Sequence, residues 1–152
     1  MWNEIIAILK KLFIPTPPKL KPVLHPIVIT SAQVASELAV LDTPIVGVQL
    51  DERYAYLTAS EWQEAIQYLL FIFPWPKYVP NFMDCDKFAM LMKALMSAVF
   101  NINCISITIG FIPGGHAWNM LRDEQGWLEL EPQNQEMFAL GDRGYDPKMV
   151  II

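Results

Sequence analysis

The chain is poor in the residues that make covalent staples and metal centres. Its 152 residues include two cysteines, Cys85 and Cys104, and two histidines, His25 and His116. Two cysteines make no disulfide framework, and the absence of a C-x-x-C pair removes the usual zinc and redox signatures. Basic charge is also short, with 11 Lys and Arg against 16 Asp and Glu. What there is gathers at the start. Lys10, Lys11, Lys19 and Lys21 less Glu4 give residues 1–21 a charge of +3, so a net of −5 leaves −8 on the rest. An acidic body excludes a nucleic-acid surface, which needs clustered Lys and Arg. No apolar run reaches transmembrane length and the start shows no signal-peptide pattern, which together lead us to expect a cytoplasmic protein. Phosphate loops, dinucleotide fingerprints and internal repeats are missing too.

Apolar residues are not scarce. At 53% hydrophobic and 18% charged, the chain must fold, and its length suits one domain with a sizeable core. Its 12 prolines fall at segment edges. Residues 1–13 read as an amphipathic helix, with Trp2, Ile5, Ile6, Leu9, Leu12 and Phe13 on one stripe. That helix either packs on the body or reaches a membrane surface or partner. Residues 15–26 read as a proline-rich linker, in which His25 has no partner pattern.

Farther along, 28–30 and 45–50 read as short strands and 31–40 as a short helix. Thr58 and Glu61 have the spacing of a capping box, opening a helix that runs to about Phe73. An aromatic, proline-rich loop over 74–83 precedes a helix from Asp84 to about Val99. Its buried stripe is Phe88, Leu91, Met92, Leu95 and Met96. From Cys104 the period becomes two: Ile105, Ile107 and Ile109 alternate with Ser106, Thr108 and Gly110. The turns Pro113-Gly114-Gly115 and Asp123–Gly126 then divide strands 116–122 and 127–131, giving an antiparallel meander.

Three residues on those elements have complementary chemistry. Cys85 lies in the first turn of a helix, where the helix dipole favours a thiolate nucleophile. His116 starts a strand after a glycine turn and could take the thiol proton and return it to a leaving group. Glu131 ends the neighbouring strand, from which it could orient the imidazole and hold its tautomer; Asn134 is a rival for that task. Cys104 reads as a small core residue. The backbone N–H of Cys85 is one oxyanion donor, and a second could come from Trp75, Tyr78, Gln63 or Gln67. Trp118 either covers the triad or meets substrate. Asp84 and Asp86 flank the cysteine and disfavour a thiolate unless they point away, with Asp84 as helix cap, or a divalent cation sits beside Asp86. Carboxylate oxygens suit calcium or manganese.

These residues carry a resemblance. Cys85-x-x-Phe88-Ala89, His116-Ala117-Trp118-Asn119 and the Trp127 strand ending Glu131-Pro132 resemble the transglutaminase-like core, with Glu131 where that family usually has Asp. Asp84-Cys85-Asp86, Gly115–Asn119 and Glu131-Pro132-Gln133 more closely resemble the papain-like domain at the C-terminus of fungal agglutinins and related small phage and bacterial proteins. Asp84-Cys85 also resembles the start of NlpC-type cell-wall peptidases, but the Ser-Gly that follows there is Asp86-Lys87 here. The agglutinin resemblance covers roughly residues 50–152.

It implies an α+β papain/transglutaminase-like fold, with a Cys-bearing helix on a small antiparallel sheet. Residues 27–152 would form that domain, after a helix and linker over 1–26. It further implies a Cys85–His116–Glu131 triad acting on peptide or amide bonds of a peptide or protein substrate, with calcium or manganese dependence. No cofactor is required by the residues themselves. The alternative is a non-catalytic relative that keeps the fold as a binding or structural module.

Overall fold

Thr30 and Thr58 start helices by the same device. Each is extended at the backbone and accepts the N–H three residues on, from Gln33 and Glu61, both at 3.3 Å. Each partner's side chain returns the bond to the threonine N–H, at 2.9 and 3.2 Å. Two orphan donors are thereby satisfied at each helix start. The box at Glu61 is the one the sequence announces; the one at Gln33 is additional.

The computed structural model describes residues 20–41 and 46–152. The expected helix over 1–13 lies outside them. In chain order the elements are β1 (Ile27–Thr30), α1 (Ser31–Ala39), β2 (Val46–Val48), β3 (Arg53–Tyr56), α2 (Ala59–Ile72), α3 (Cys85–Phe100), β4 (Ile107–Phe111), β5 (Gly115–Arg122), β6 (Trp127–Glu131), β7 (Glu136–Ala139) and β8 (Asp146–Ile151). Strands β1 and β3 pair antiparallel by themselves. The other six form one sheet in the order β2-β8-β4-β5-β6-β7. Only the β2–β8 pair in it is parallel. The expected meander is therefore β4-β5-β6, extended by β2, the short strand expected near 45–50, and by β7 and β8, which the sequence does not announce.

Both faces of the sheet are covered. Helices α2 and α3 close one face, where Trp62, Ile66 and Leu69 meet Met92, Met96, Ile105, Leu121 and Leu130. Helix α1 and the β1–β3 pair close the other, with Val34, Leu38, Tyr54 and Tyr56 against Trp118, Met120, Trp127 and Val150. Alternation along β5 divides its side chains between these two cores. Each fully buried large apolar side chain adds about 1.5–3 kcal/mol. Asn101 stops α3 in the left-handed conformation (φ 58°), its N–H reaching back to Met96 and Ser97. Among the described residues, no helix is long and apolar enough to cross a membrane.

Several expectations need correction. His25 has a partner: its N–H and ring Nδ1 meet Glu61 Oε1 at 2.9 and 3.1 Å, which ties the linker's end to α2. Around β4 small and polar residues are buried along with the apolar Ile105. Ser106 and Thr108 are fully buried, whereas Ile109 is 41% exposed. Ser106 Oγ accepts the Met120 N–H at 2.9 Å and shares a 2.7 Å bond with Thr108, so the buried hydroxyls are satisfied. Gly110 faces the Trp118 ring so closely that a Cβ there would lie 2.7 Å from it and 2.0 Å from the Asp146 carbonyl oxygen. The large Trp118 side chain on β5 thus dictates small neighbours on β4.

Candidate active site

Cys85 is the first residue of α3 and is half-buried, with a free thiol. Asp84 before it has the extended backbone of a helix cap, but its side chain makes no capping bond. The expected Asp84 cap is therefore a correction. Lys87 binds both flanking carboxylates, with its Nζ 2.9 Å from Asp84 Oδ1 and 3.0 Å from Asp86 Oδ1. Those bonds, Asp84 first, raise the Lys87 ammonium above its ordinary value and keep it charged. Among the described residues, no group of three His, Cys, Asp or Glu gathers as a metal site. Asp86 already faces a lysine cation, so this donor set does not fit calcium or manganese, which need several converging oxygens.

His116 is the second residue of β5, following a turn whose Gly114 sits at φ +112°, a conformation only glycine takes freely. The register pairs Asn119 with Leu130, which brings Glu131 level with Trp118 and one side-chain step from His116 on the same face. His116 Nε2 meets Glu131 Oε2 at 2.7 Å. Glu131 Oε1 accepts the Gln133 N–H at 3.1 Å, and Tyr145 donates its hydroxyl to Oε2 at 2.9 Å. Burial alone would raise the Glu131 carboxyl. The bonds from His116, Gln133 and Tyr145 outweigh it and hold the group below its ordinary value. With Nε2 committed to the carboxylate, Nδ1 is the nitrogen left for other chemistry. Trp118 stacks on the imidazole at 5.9 Å between centroids, 17° from parallel.

Asn119 couples the two halves. Its side chain donates from β5 to the Ala89 carbonyl at 2.9 Å, one turn along α3 from Cys85. Ala117, small and buried, lets helix and strand approach. Among the described residues, no hydrogen bond links the Cys85 thiol with His116.

The other named residues sort plainly. Trp75 is not a free oxyanion donor: its Nε1–H is bound to the Pro132 carbonyl at 3.0 Å, pinning the 74–83 loop beside β6. Tyr78 is 53% exposed in that loop. Trp118 is fully buried, so it covers the imidazole and has no surface for substrate. Gln63 and Gln67 line a pocket of about 330 Å³ with Ile66, Leu70, Gln135 and Met137. Asn134 bonds locally with Glu136 and does not orient His116. Cys104 is buried, as expected, and burial pushes its thiol up to about 12. Tyr145 and Glu129 were not singled out from the sequence. Glu129 is fully buried beside Glu131, and a β-strand reading that puts both glutamates on one face was the available signal.

No family model and no curated protein matches the chain. Solved structures do. The chain is similar to the PSL1a–E64 complex with a TM-score of 0.69 and 21% identity, over 82% of this chain and 50% of that one. It is also similar to the Polyporus squamosus lectin bound to a human-type influenza-binding epitope, with a TM-score of 0.65 and 23% identity, over 82% of this chain and 49% of that one. The chain thus spans about half the length of those it matches. The likeness shows the fold: α+β, papain-like, with a helix packed on an antiparallel sheet.

Proposed function

We propose that this chain is a thiol hydrolase or acyltransferase acting on peptide or amide bonds through Cys85, His116 and Glu131. The observation that carries the reading is the half-buried 2.7 Å pair of His116 Nε2 with Glu131, which leaves Nδ1 as the base. In the reaction, Cys85 gives its proton to Nδ1 and its sulfur attacks the carbonyl carbon. A C–S bond forms as the π electrons move to oxygen, where the N–H at the helix start stabilises the charge. Collapse breaks the C–N bond, and the leaving amine takes the proton from His116. Water, or another acyl acceptor, then gives a proton to His116 and attacks the thioester. Collapse releases the product and the thiolate, which recovers the proton. Glu131 supports the imidazolium in both halves.

A non-catalytic papain-like module, such as a phage accessory protein, is the second reading. It is favoured by the missing Cys85–His116 hydrogen bond. Alkylation separates the two. E64, the molecule in the PSL1a complex, and iodoacetamide should label Cys85 about a hundredfold faster than Cys104 at neutral pH. His116→Ala should slow the labelling of Cys85, and Cys85→Ala should abolish peptide cleavage without changing the melting midpoint. Equal labelling of the two cysteines, unmoved by His116→Ala, selects the module.

A further inference from the structure

Tyr145 belongs to no motif, and its place in the structure is specific. It ends the segment between β7 and β8 and returns beneath the His116 end of β5. Its ring lies 5.7 Å from the His116 ring, 4.9 Å from that of Trp118 and 5.0 Å from that of Phe138. Its hydroxyl reaches Glu131 Oε2 at 2.9 Å, the same oxygen that meets His116 Nε2. The other oxygen, Oε1, takes the Gln133 N–H.

A glutamate's terminal torsion is broad, so a carboxylate held by a single partner can swing and exchange its oxygens. This one is held at both oxygens, and Tyr145 shares the oxygen that faces the imidazole. We propose that Tyr145 is a positioning residue for the His116–Glu131 pair: its hydroxyl fixes Glu131 Oε2 against His116 Nε2, so that Nδ1 is the nitrogen presented to Cys85. The inference rests on the thiol-hydrolase reading and deepens it. Burial, then the nearby Glu131 carboxylate, raises the Tyr145 phenol above its ordinary value. The hydroxyl therefore stays a donor through the neutral and mildly alkaline range.

Tyr145→Phe keeps the ring and removes only the donor. The measurement is the rate of Cys85 alkylation by iodoacetamide, followed by peptide mass from acid to alkaline pH, with a melting curve for each variant. Tyr145→Phe should slow Cys85 roughly tenfold at neutral pH, the scale of one hydrogen bond to a charged group. It should also move the acidic limb of the profile upward, because a carboxylate that loses a donor protonates more easily. A residue that only supports the fold would lower the melting midpoint and leave that limb in place. In a Glu131→Gln background, where no carboxylate is left to orient, adding Tyr145→Phe should cost nothing further in rate. A wild-type profile in Tyr145→Phe, or two effects that simply multiply in the double variant, overturns the assignment. If His116→Ala slows Cys85 while Tyr145→Phe does not, only the role of Tyr145 falls. If His116→Ala itself leaves Cys85 unchanged, the thiol-hydrolase reading falls and takes this one with it.

Discussion

The two ends of the site are built by different means. The base end is largely enclosed and held by local and more distant contacts together: Trp118 stacked on His116 and Gln133 bound to Glu131, each two residues away, then Tyr145 from beyond β7 on Glu131 and Gly110 on the neighbouring strand making room for Trp118. The nucleophile end is local. Cys85 sits on the first turn of α3 between two carboxylates drawn to Lys87, beside a loop whose Tyr78 and Phe82 are exposed. A base must keep one tautomer and one orientation, which takes a rigid surround. A nucleophile must be reached by substrate, which takes an open one. Damage at the base end should therefore cost stability as well as activity.

The largest effect tests that directly. Trp118→Ala should destabilise the fold by about 3–5 kcal/mol, as for other buried aromatics. Denaturant melts will read the loss, and Phe82→Ala, at 80% exposure, should change the midpoint little. Similar losses at both positions would erase the contrast between the ends.

How much of this was legible follows from sequence distance. The places of Cys85, His116 and Glu131 on their elements were readable because each is marked by a local signal: a helix start, a glycine turn, the end of the next hairpin. The 3.6-residue period found the α3 stripe, where Phe88, Met92 and Met96 are fully or almost fully buried. Alternation also found β4, where Ile105 just before the strand is fully buried but Ile109 is 41% exposed, while the bulk of Trp118 on the other face takes the small Gly110 as neighbour. The β2–β8 pairing and the return of Tyr145 are non-local, and no local pattern encodes them. Asp84 had the right residue type for a cap, yet a lysine three residues on competes for its carboxylate.

The second test lies within the base end. Glu129 and Glu131 share a face of β6, but their environments push them in opposite directions. Glu131 has three donors. Glu129 has the Gly141 N–H at 3.3 Å, while its Oε1 and the nearby Trp118 Nε1 lack partners among the described residues. Burial pushes the Glu129 carboxyl from 4.5 up to about 7; the Gly141 N–H relieves it only in part, and Asp142 adds to it. Its folded value lies above its unfolded one, so the native state holds an extra proton between those limits. Stability from this group should be full in acid, fall as pH rises from about 4.5 to about 7, and stay level above. The whole span is at most on the order of 3 kcal/mol. Glu129→Gln should flatten that slope in melts across pH and leave the protein more stable than wild type in alkali. An unchanged slope would mean that Glu129 has found a partner and that both glutamates are equally well satisfied.

The smallest expected effect is at the nucleophile end, and it compares two helix starts. Thr58 caps α2 through its side chain, so Thr58→Ala should cost about 1 kcal/mol. Asp84 occupies the same position on α3 without capping, and its bond to Lys87 is a surface pair of the kind that contributes little. Asp84→Ala should leave the melting midpoint where it was, because Lys87 keeps Asp86 and no backbone donor loses a partner. Calcium or manganese should likewise leave it unmoved, since any ion bound only by the native state would raise it with concentration. Paired melts of the two alanine variants, with metal and with chelator, measure all of this. If Asp84→Ala destabilises as much as Thr58→Ala, or if metal raises the midpoint in a way that Asp86→Ala removes, the nucleophile end is as organised as the base end.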